Sequence, residues 1–187
     1  MDDAACIQAV LQGDAGAFED LVRRHQTRVY NMAYRMVGPN EAEDAAQEAF
    51  LRAYTQLATF KPEHRFDTWI LAITAHHCID LLRRRKRQSE GMLVLAHEYR
   101  EPDVPEAIVA ARDASREVHE LLAQLPPGHR AVLVLYYWHD LSCGEIGQLL
   151  GLSETCVRVR LHRARHMLAG RLAAHGSRIS EEVPCET

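Results

Sequence analysis

The 187-residue chain is poor in the features that define several large protein classes. Its five cysteines, Cys6, Cys78, Cys143, Cys156 and Cys185, are scattered, odd in number and form no CxxC pair. That argues against a disulfide framework and fits reduced thiols in the cytoplasm. No apolar run approaches the ~20 residues needed to span a bilayer, and the amino terminus lacks a basic-then-apolar signal. The longest run, residues 131–138, suits a buried helix. The chain is therefore expected to be cytoplasmic, with no insertion into a membrane. No stretch alternates with period two, so no sheet is expected, and there is no internal repeat. No Ser-His-Asp order, phosphate loop or HExxH motif appears, so neither an enzyme nor a small-molecule substrate is expected. The eleven histidines raise a metal-dependent enzyme or sensor as an alternative. In the string His76-His77-Cys78, however, neighbours on a helix point ~100° apart and form no single chelating face. His139 and Cys143 are too few ligands for zinc. No metal and no cofactor are expected.

An excess of positive charge is also missing, since the net charge is −4. Its distribution is uneven. Residues 83–87 read Arg-Arg-Arg-Lys-Arg and carry +5, residues 155–180 hold six arginines and no acid for +6, and the rest of the −4 chain is therefore at −15. Two pure basic stretches suit phosphate, and an acidic remainder suits a basic protein partner while discouraging indiscriminate DNA binding.

What is present is helical periodicity. Phe18, Leu21, Val22, Val29, Met32, Ala33 and Met36 recur at steps of three and four, with one longer gap at His25. Gly38-Pro39 stops that helix, and Asn40 with Glu43 resembles a capping box for the next, to about Leu57. Residues 59–65 read as a loop, after which Asp67 is a plausible N-cap for a helix from Thr68 to about Arg87. Residues 89–106 are acidic, carry Pro102 and Pro105, and read as an extended linker. Pro105 is placed to start a helix to about Gln124, which Pro126-Pro127-Gly128 breaks. Another helix is expected over residues 129–138. The tail after about Ala174 reads as disordered.

The carboxy-terminal third carries the sharpest motif. Ser142-Cys143-Gly144-Glu145 is a capping box opening a short helix, Gly151 supplies the positive φ of a tight turn, and Ser153 caps the next helix. On that helix Val157, Leu161, Ala164 and Leu168 form a buried stripe. Arg158, His162 and Arg165 lie on one flank, and Val159, Arg163 and His166 on the other. A short helix, a glycine turn and a helix with an apolar back and an arginine-rich front describe a helix-turn-helix. Arginine can fork to guanine O6 and N7 in the major groove and can also neutralise phosphate.

Residues 125–168, "LPPGHRAVLVLYYWHDLSCGEIGQLLGLSETCVRVRLHRARHML", resemble region 4 of bacterial sigma factors, and those of the small extracytoplasmic-function class most closely. "EAEDAAQEAFLRAY" (41–54) resembles the polymerase-binding part of region 2, and "FDTWILAITAHHCIDLLRRRKR" (66–87) the part that melts and reads the −10 element. There is no room for the middle domain of larger sigma factors. The resemblance implies an all-α chain of two small helical domains: region 2 over 1–88, a linker over 89–106, region 4 over 107–173 and a tail over 174–187.

It also implies roles. Glu41, Glu43, Asp44, Gln47 and Glu48 would face core RNA polymerase. Phe60, Lys61, Phe66, Trp69, His76, Arg83, Arg84 and Arg87 would serve the −10 element, with Arg85 and Lys86 of the same run on promoter backbone; Trp69 also suits the core. Thr155, Cys156, Arg158, Val159, Arg160, His162, Arg163 and Arg165 would serve the −35 element. An anti-sigma factor, in this class often membrane-anchored, is an expected partner, within a stress or envelope response. The sequence departs from the family at Ala75-His76, where an arginine-asparagine pair is common, and at Cys156, where threonine is common. The alternative reading is a helix-turn-helix regulator that acts without core polymerase, which would leave residues 41–87 unexplained.

Overall fold

The computed structural model describes residues 2–91 and 118–181. Every regular element among them is helical: α1 (Asp3–Leu11), α2 (Ala17–Val37), α3 (Pro39–Gln56), a 3-10 turn (Leu57–Thr59), α4 (Phe66–Gly91), α5 (Pro127–Trp138), α6 (Cys143–Leu150) and α7 (Glu154–Glu181). Residues 118–123 are also helical and lead into α5.

In the amino-terminal unit α2 is the central helix, packed on α1, α3 and α4. Its stripe of Leu21, Val29, Met32, Ala33 and Met36 is fully buried. His25 fills the gap in that stripe: it is buried, lies against the Phe66 ring and meets Asp3 Oδ2 through Nε2 at 2.8 Å. Asp3 also accepts from Arg24 at 2.7 Å. These contacts dock α1, a helix that the periodicity did not reveal. Its N-cap is Asp2, whose carboxylate accepts from the Ala5 amide at 2.8 Å.

Helix α2 ends at Gly38, with φ 91° and ψ 175°. A left-handed φ favours glycine. Space demands it as well, because a Cβ there would stand 2.8 Å from Nε2 of His119. Pro39 occupies the first turn of α3, and no side-chain cap forms, so the expected Asn40–Glu43 capping box is absent. Proline already supplies the helical φ and has no amide to satisfy. The buried face of α3 is Phe50 with Ala42, Ala45, Ala46, Ala49 and Ala53, the alanines being small side chains that let neighbouring helices approach closely.

Helix α4 starts at Phe66, one residue before the expected cap. Asp67 lies inside the first turn and is buried, and its carboxylate accepts from Arg28 at 3.1 Å, Arg65 at 2.6 Å and the Thr68 hydroxyl at 3.1 Å. The helix runs to Gly91, so residues 89–91 of the expected linker are helical. The rest of the linker expectation, and that for residues 107–117, falls outside the described residues.

In the carboxy-terminal unit α5 buries six consecutive residues, Arg130 to Leu135. The α6 capping box forms as read from the sequence: the Glu145 amide donates to Ser142 Oγ at 3.3 Å, and Glu145 Oε2 accepts from the Ser142 amide at 2.8 Å. Gly151 is left-handed at φ 66°, and Ser153 Oγ accepts from the Cys156 amide at 3.2 Å. Helix α7 packs Val157, Leu161 and Ala164 inward and continues to Glu181, beyond the expected end near Ala174. Residues 171–175 are Arg, Leu, Ala, Ala and His, largely helix formers, and the helix runs through the flanking Gly170 and Gly176.

The two units share one continuous core. Helices α5 and α6 rest on α4, and α5 also rests on α2. Polar contacts line the seam. Buried Arg130 donates to the Met36 carbonyl at the end of α2, and through Nη2 to the Ala123 carbonyl at 2.6 Å. Arg28 donates to the His139 carbonyl at 3.4 Å, and the Arg35 guanidinium lies 4.8 Å from the centre of the Trp138 ring.

Candidate nucleic-acid interface

The front of α7 follows from its back. With Val157, Leu161 and Ala164 held inside, helical geometry turns Thr155, Arg158, Val159, His162, Arg163, Arg165 and His166 to solvent. Cys156 and Arg160 are half-buried at the edges of this face, the latter with a guanidinium nitrogen 3.0 Å from where a Cβ on Gly128 would be. Arg158 is tied to Glu154 one turn earlier. Arg165 donates to the Tyr137 hydroxyl at 2.9 Å and lies 5.4 Å from the centres of both the Tyr136 and Tyr137 rings. Arg163 and His162 make no ion pair among the described residues. The sequence expected all of these on one surface, and the fold brings them there; it also shows that Arg165 is held in place by α5, which spacing along one helix could not reveal.

The expected −10 residues divide. Lys61 is exposed in the loop before α4, and His76, Arg83, Arg84 and Arg87 are exposed along α4 itself. Phe66 is buried, and half-buried Phe60 and Trp69 close on it with ring centres 5.9 and 5.7 Å away. Phe66 is thus a core residue that shapes the loop rather than one able to stack on a base: it begins α4 beside His25, where α2 covers it. Ala75 is fully buried. His76 is exposed, and its Nδ1 is 2.9 Å from the Ala72 carbonyl. A carbonyl only accepts, so Nδ1 carries the proton and, in the neutral ring, Nε2 is left outward as an acceptor. His77 is half-buried, and burial together with the nearby Arg52 lowers its pKa. Burial pushes the Cys78 thiol up to about 12, which keeps it protonated and unreactive. The described residues contain no cluster of three or more His, Cys, Asp or Glu able to hold a metal ion.

On α3, Glu43, Asp44 and Gln47 are exposed opposite the alanine face, and Leu51 extends the same surface. Glu48 is bonded to Arg52 at 2.7 Å, and this bond holds its pKa below the usual carboxylate value. Glu41 is half-buried and paired with Arg85 of α4. One carboxylate expected to face polymerase is therefore committed to an arginine of the basic run. No local pattern signals this pairing, which joins residues far apart along the chain.

Residues 21–88 match the Sigma-70 region 2 family, and residues 115–168 match the Sigma-70, region 4 family. Among curated relatives, the ECF RNA polymerase sigma factor SigW of Bacillus subtilis (strain 168) is 34% identical over 176 residues, 89% of this chain and 94% of the relative. The ECF RNA polymerase sigma factor SigE of Mycolicibacterium smegmatis is 36% identical over 179 residues, 91% of this chain and 68% of the relative. Among solved structures, CnrH in complex with the cytosolic domain of CnrY is similar with a TM-score of 0.68 at 28% identity, covering 92% of this chain and 97% of that one. Both regions occur in the same order on one helical scaffold, and the chain belongs to the extracytoplasmic-function class of the sigma-70 family of RNA polymerase sigma factors.

Proposed function

We propose that the amino-terminal unit of this sigma factor docks on core RNA polymerase through the outer face of α3 and opens the −10 element along α4, while the carboxy-terminal unit reads the −35 element with α7. The protein has no chemistry of its own; RNA synthesis belongs to the polymerase. The observation that carries the reading is the solvent-facing row of Thr155, Arg158, Val159, His162 and Arg163 over a buried apolar stripe. Such a row can enter a major groove with its amino-terminal residues on base edges. Exposed Lys61, Arg83, Arg84 and Arg87 supply positive charge for the backbone of the melted strand. Exposed Glu43, Asp44 and Gln47 supply a polar surface whose charge favours encounter and register with a basic partner. An anti-sigma factor holds the protein inactive until a stress or envelope signal releases it, a reading supported by the solved relative with CnrY bound. The site of action is the cytoplasm; among the described residues, no helix is long and apolar enough to cross a membrane.

Run-off transcription with core RNA polymerase on a genomic promoter library, with and without the protein, tests this. Transcripts that depend on the protein, with shared sequences upstream of their starts, are the expected result. DNA binding without core association or new transcripts would instead establish a helix-turn-helix regulator.

A further inference from the structure

Two arginines of α7 are tied in different ways. Arg158 meets a carboxylate, Glu154 one turn earlier, and its charge is countered within the helix. Arg165 meets a neutral group on another helix: its Nε–H donates to the Tyr137 hydroxyl at 2.9 Å. Its guanidinium lies 5.4 Å from the centres of both the Tyr136 and Tyr137 rings, within the ~6 Å over which an aromatic face attracts a cation. Those two rings stand at 77° to each other, with centres 5.1 Å apart, and form a corner in the last turn of α5. Tyr136 is half-buried and packs on the core, which fixes the corner. Tyr137 is 50% exposed, and Arg165 is exposed. The corner therefore orients a positive charge at the surface without neutralising it.

The hydrogen-bonding capacity left over is that of a donor pair. The Tyr137 oxygen accepts from Nε, so its own O–H is left to donate, and the N–H groups on Nη1 and Nη2 of Arg165 remain. An N–H given to the phenol oxygen polarises the O–H outward. Residues 155–180 hold no acid that would compete. Such a pair selects an anion with acceptor oxygens, and both residue types donate to DNA phosphates. Position favours phosphate over base. Arg165 shares a flank with Arg158 and lies about 10 Å further along the helix, at ~1.5 Å per residue. Base edges are read by the amino-terminal residues of such a helix, and Arg165 is drawn sideways onto α5. An arginine held beforehand also loses less freedom on binding.

Resting on the proposed reading of the −35 element by α7, we propose that Tyr137 of α5 is a promoter-contact residue: it positions Arg165, and the two side chains grip one backbone phosphate beside that element. The DNA interface thus extends from α7 onto the last turn of α5, which carries no basic side chain of its own.

The test uses the full chain and a duplex bearing a −35 element recovered by run-off transcription. Y137F keeps the ring and removes only the hydroxyl. It should leave thermal unfolding and core polymerase binding unchanged and bind the duplex about fivefold more weakly. R165A should bind about tenfold more weakly, with a slope of log affinity against log salt shallower by about 0.9, one phosphate contact. Because both groups serve one phosphate, Y137F/R165A should fall well short of the product of the two losses. Replacing phosphates one at a time by neutral methylphosphonate should reveal one position that weakens the wild type and leaves R165A unaffected. Y137F binding like the wild type, losses that multiply in the double variant, or no such phosphate would each overturn the grip. Loss of core binding by Y137F with DNA affinity kept would also overturn it and assign Tyr137 to a protein contact. If R163A and R165A both bind the duplex like the wild type, the −35 reading itself fails; if only Y137F does, the grip alone fails.

Discussion

Helices α3 and α7 are built alike and charged oppositely. Each buries a narrow stripe, alanines with Phe50 in α3 and Val157, Leu161 and Ala164 in α7, and each turns a charged front outward. They differ in what ties that charge down. On α3, Glu41 is spent on Arg85 and Glu48 on Arg52, leaving Glu43 and Asp44. On α7, Arg158 is paired with Glu154 and Arg165 is held by Tyr137, while His162 and Arg163 make no ion pair among the described residues. A count of charges along a helix therefore overstates the surface available to a partner. What counts is the subset that the fold has not already neutralised.

The largest expected effect comes from removing what lies behind the α7 front. Leu161 is 4% exposed, so Leu161→Ala should cost ~2–5 kcal/mol of stability in urea unfolding, through lost burial and the cavity left behind. Leu51, on the α3 front and 59% exposed, should change stability by less than ~0.5 kcal/mol when made Ala. If the two matched, the division into fronts and backs would be wrong.

Acid sharpens the contrast between fronts and seam. Burial, with Arg28 and Arg35 facing it from α2 and only Asp140 opposing them, lowers the pKa of His139 to about 4. Burial, with Arg130 facing it, also lowers that of His119, against Glu120 and the Tyr34 backbone. A histidine kept neutral in the fold contributes stability that is fully present above its ordinary pKa near 6.5 and is lost as pH falls from there toward the folded value. Unfolding free energy should therefore fall below pH 6.5 by up to ~1.4 kcal/mol per pH unit for His139. In His139→Phe that slope should flatten; an unchanged slope would remove His139 as its source.

The fronts separate by partner. Arg163→Ala should weaken promoter recognition by ~1–3 kcal/mol and leave core binding intact in a pull-down with polymerase. Asp44→Lys should do the reverse, lowering core binding while −35 half-site affinity stays the same. The smallest effect concerns a cap: Ser142→Ala removes the acceptor of the Glu145 amide and should cost ~1 kcal/mol in thermal or denaturant unfolding.

Local features were readable because their physics is local. The α6 capping box, the glycine turn at Gly151 and the apolar back of α7 each depend on residues within a few positions of one another. Boundaries failed where a distant group intervened. Asp67 has the chemistry of a cap, but Arg28 and Arg65 draw its carboxylate into an ion pair inside the first turn. Phe66 has the chemistry of a base-stacking residue, but α2 covers it. His25 marked α1 in principle, since a polar residue in the middle of an apolar stripe needs a partner, yet nothing in the sequence named Asp3.

By itself, the sequence determined the helical class, the helix-turn-helix and the charge of each front, because periodicity, caps and pure charge runs act over one or two turns; the order of two functional regions came from its resemblance to a known family. Only the tertiary structure decided which of those charges stay free, which aromatics are core, and that the two units meet on a seam of arginines, histidines and carbonyls. Those outcomes depend on contacts between residues such as Arg130 and Met36, 94 positions apart, whose pairing is set by the packing of whole helices.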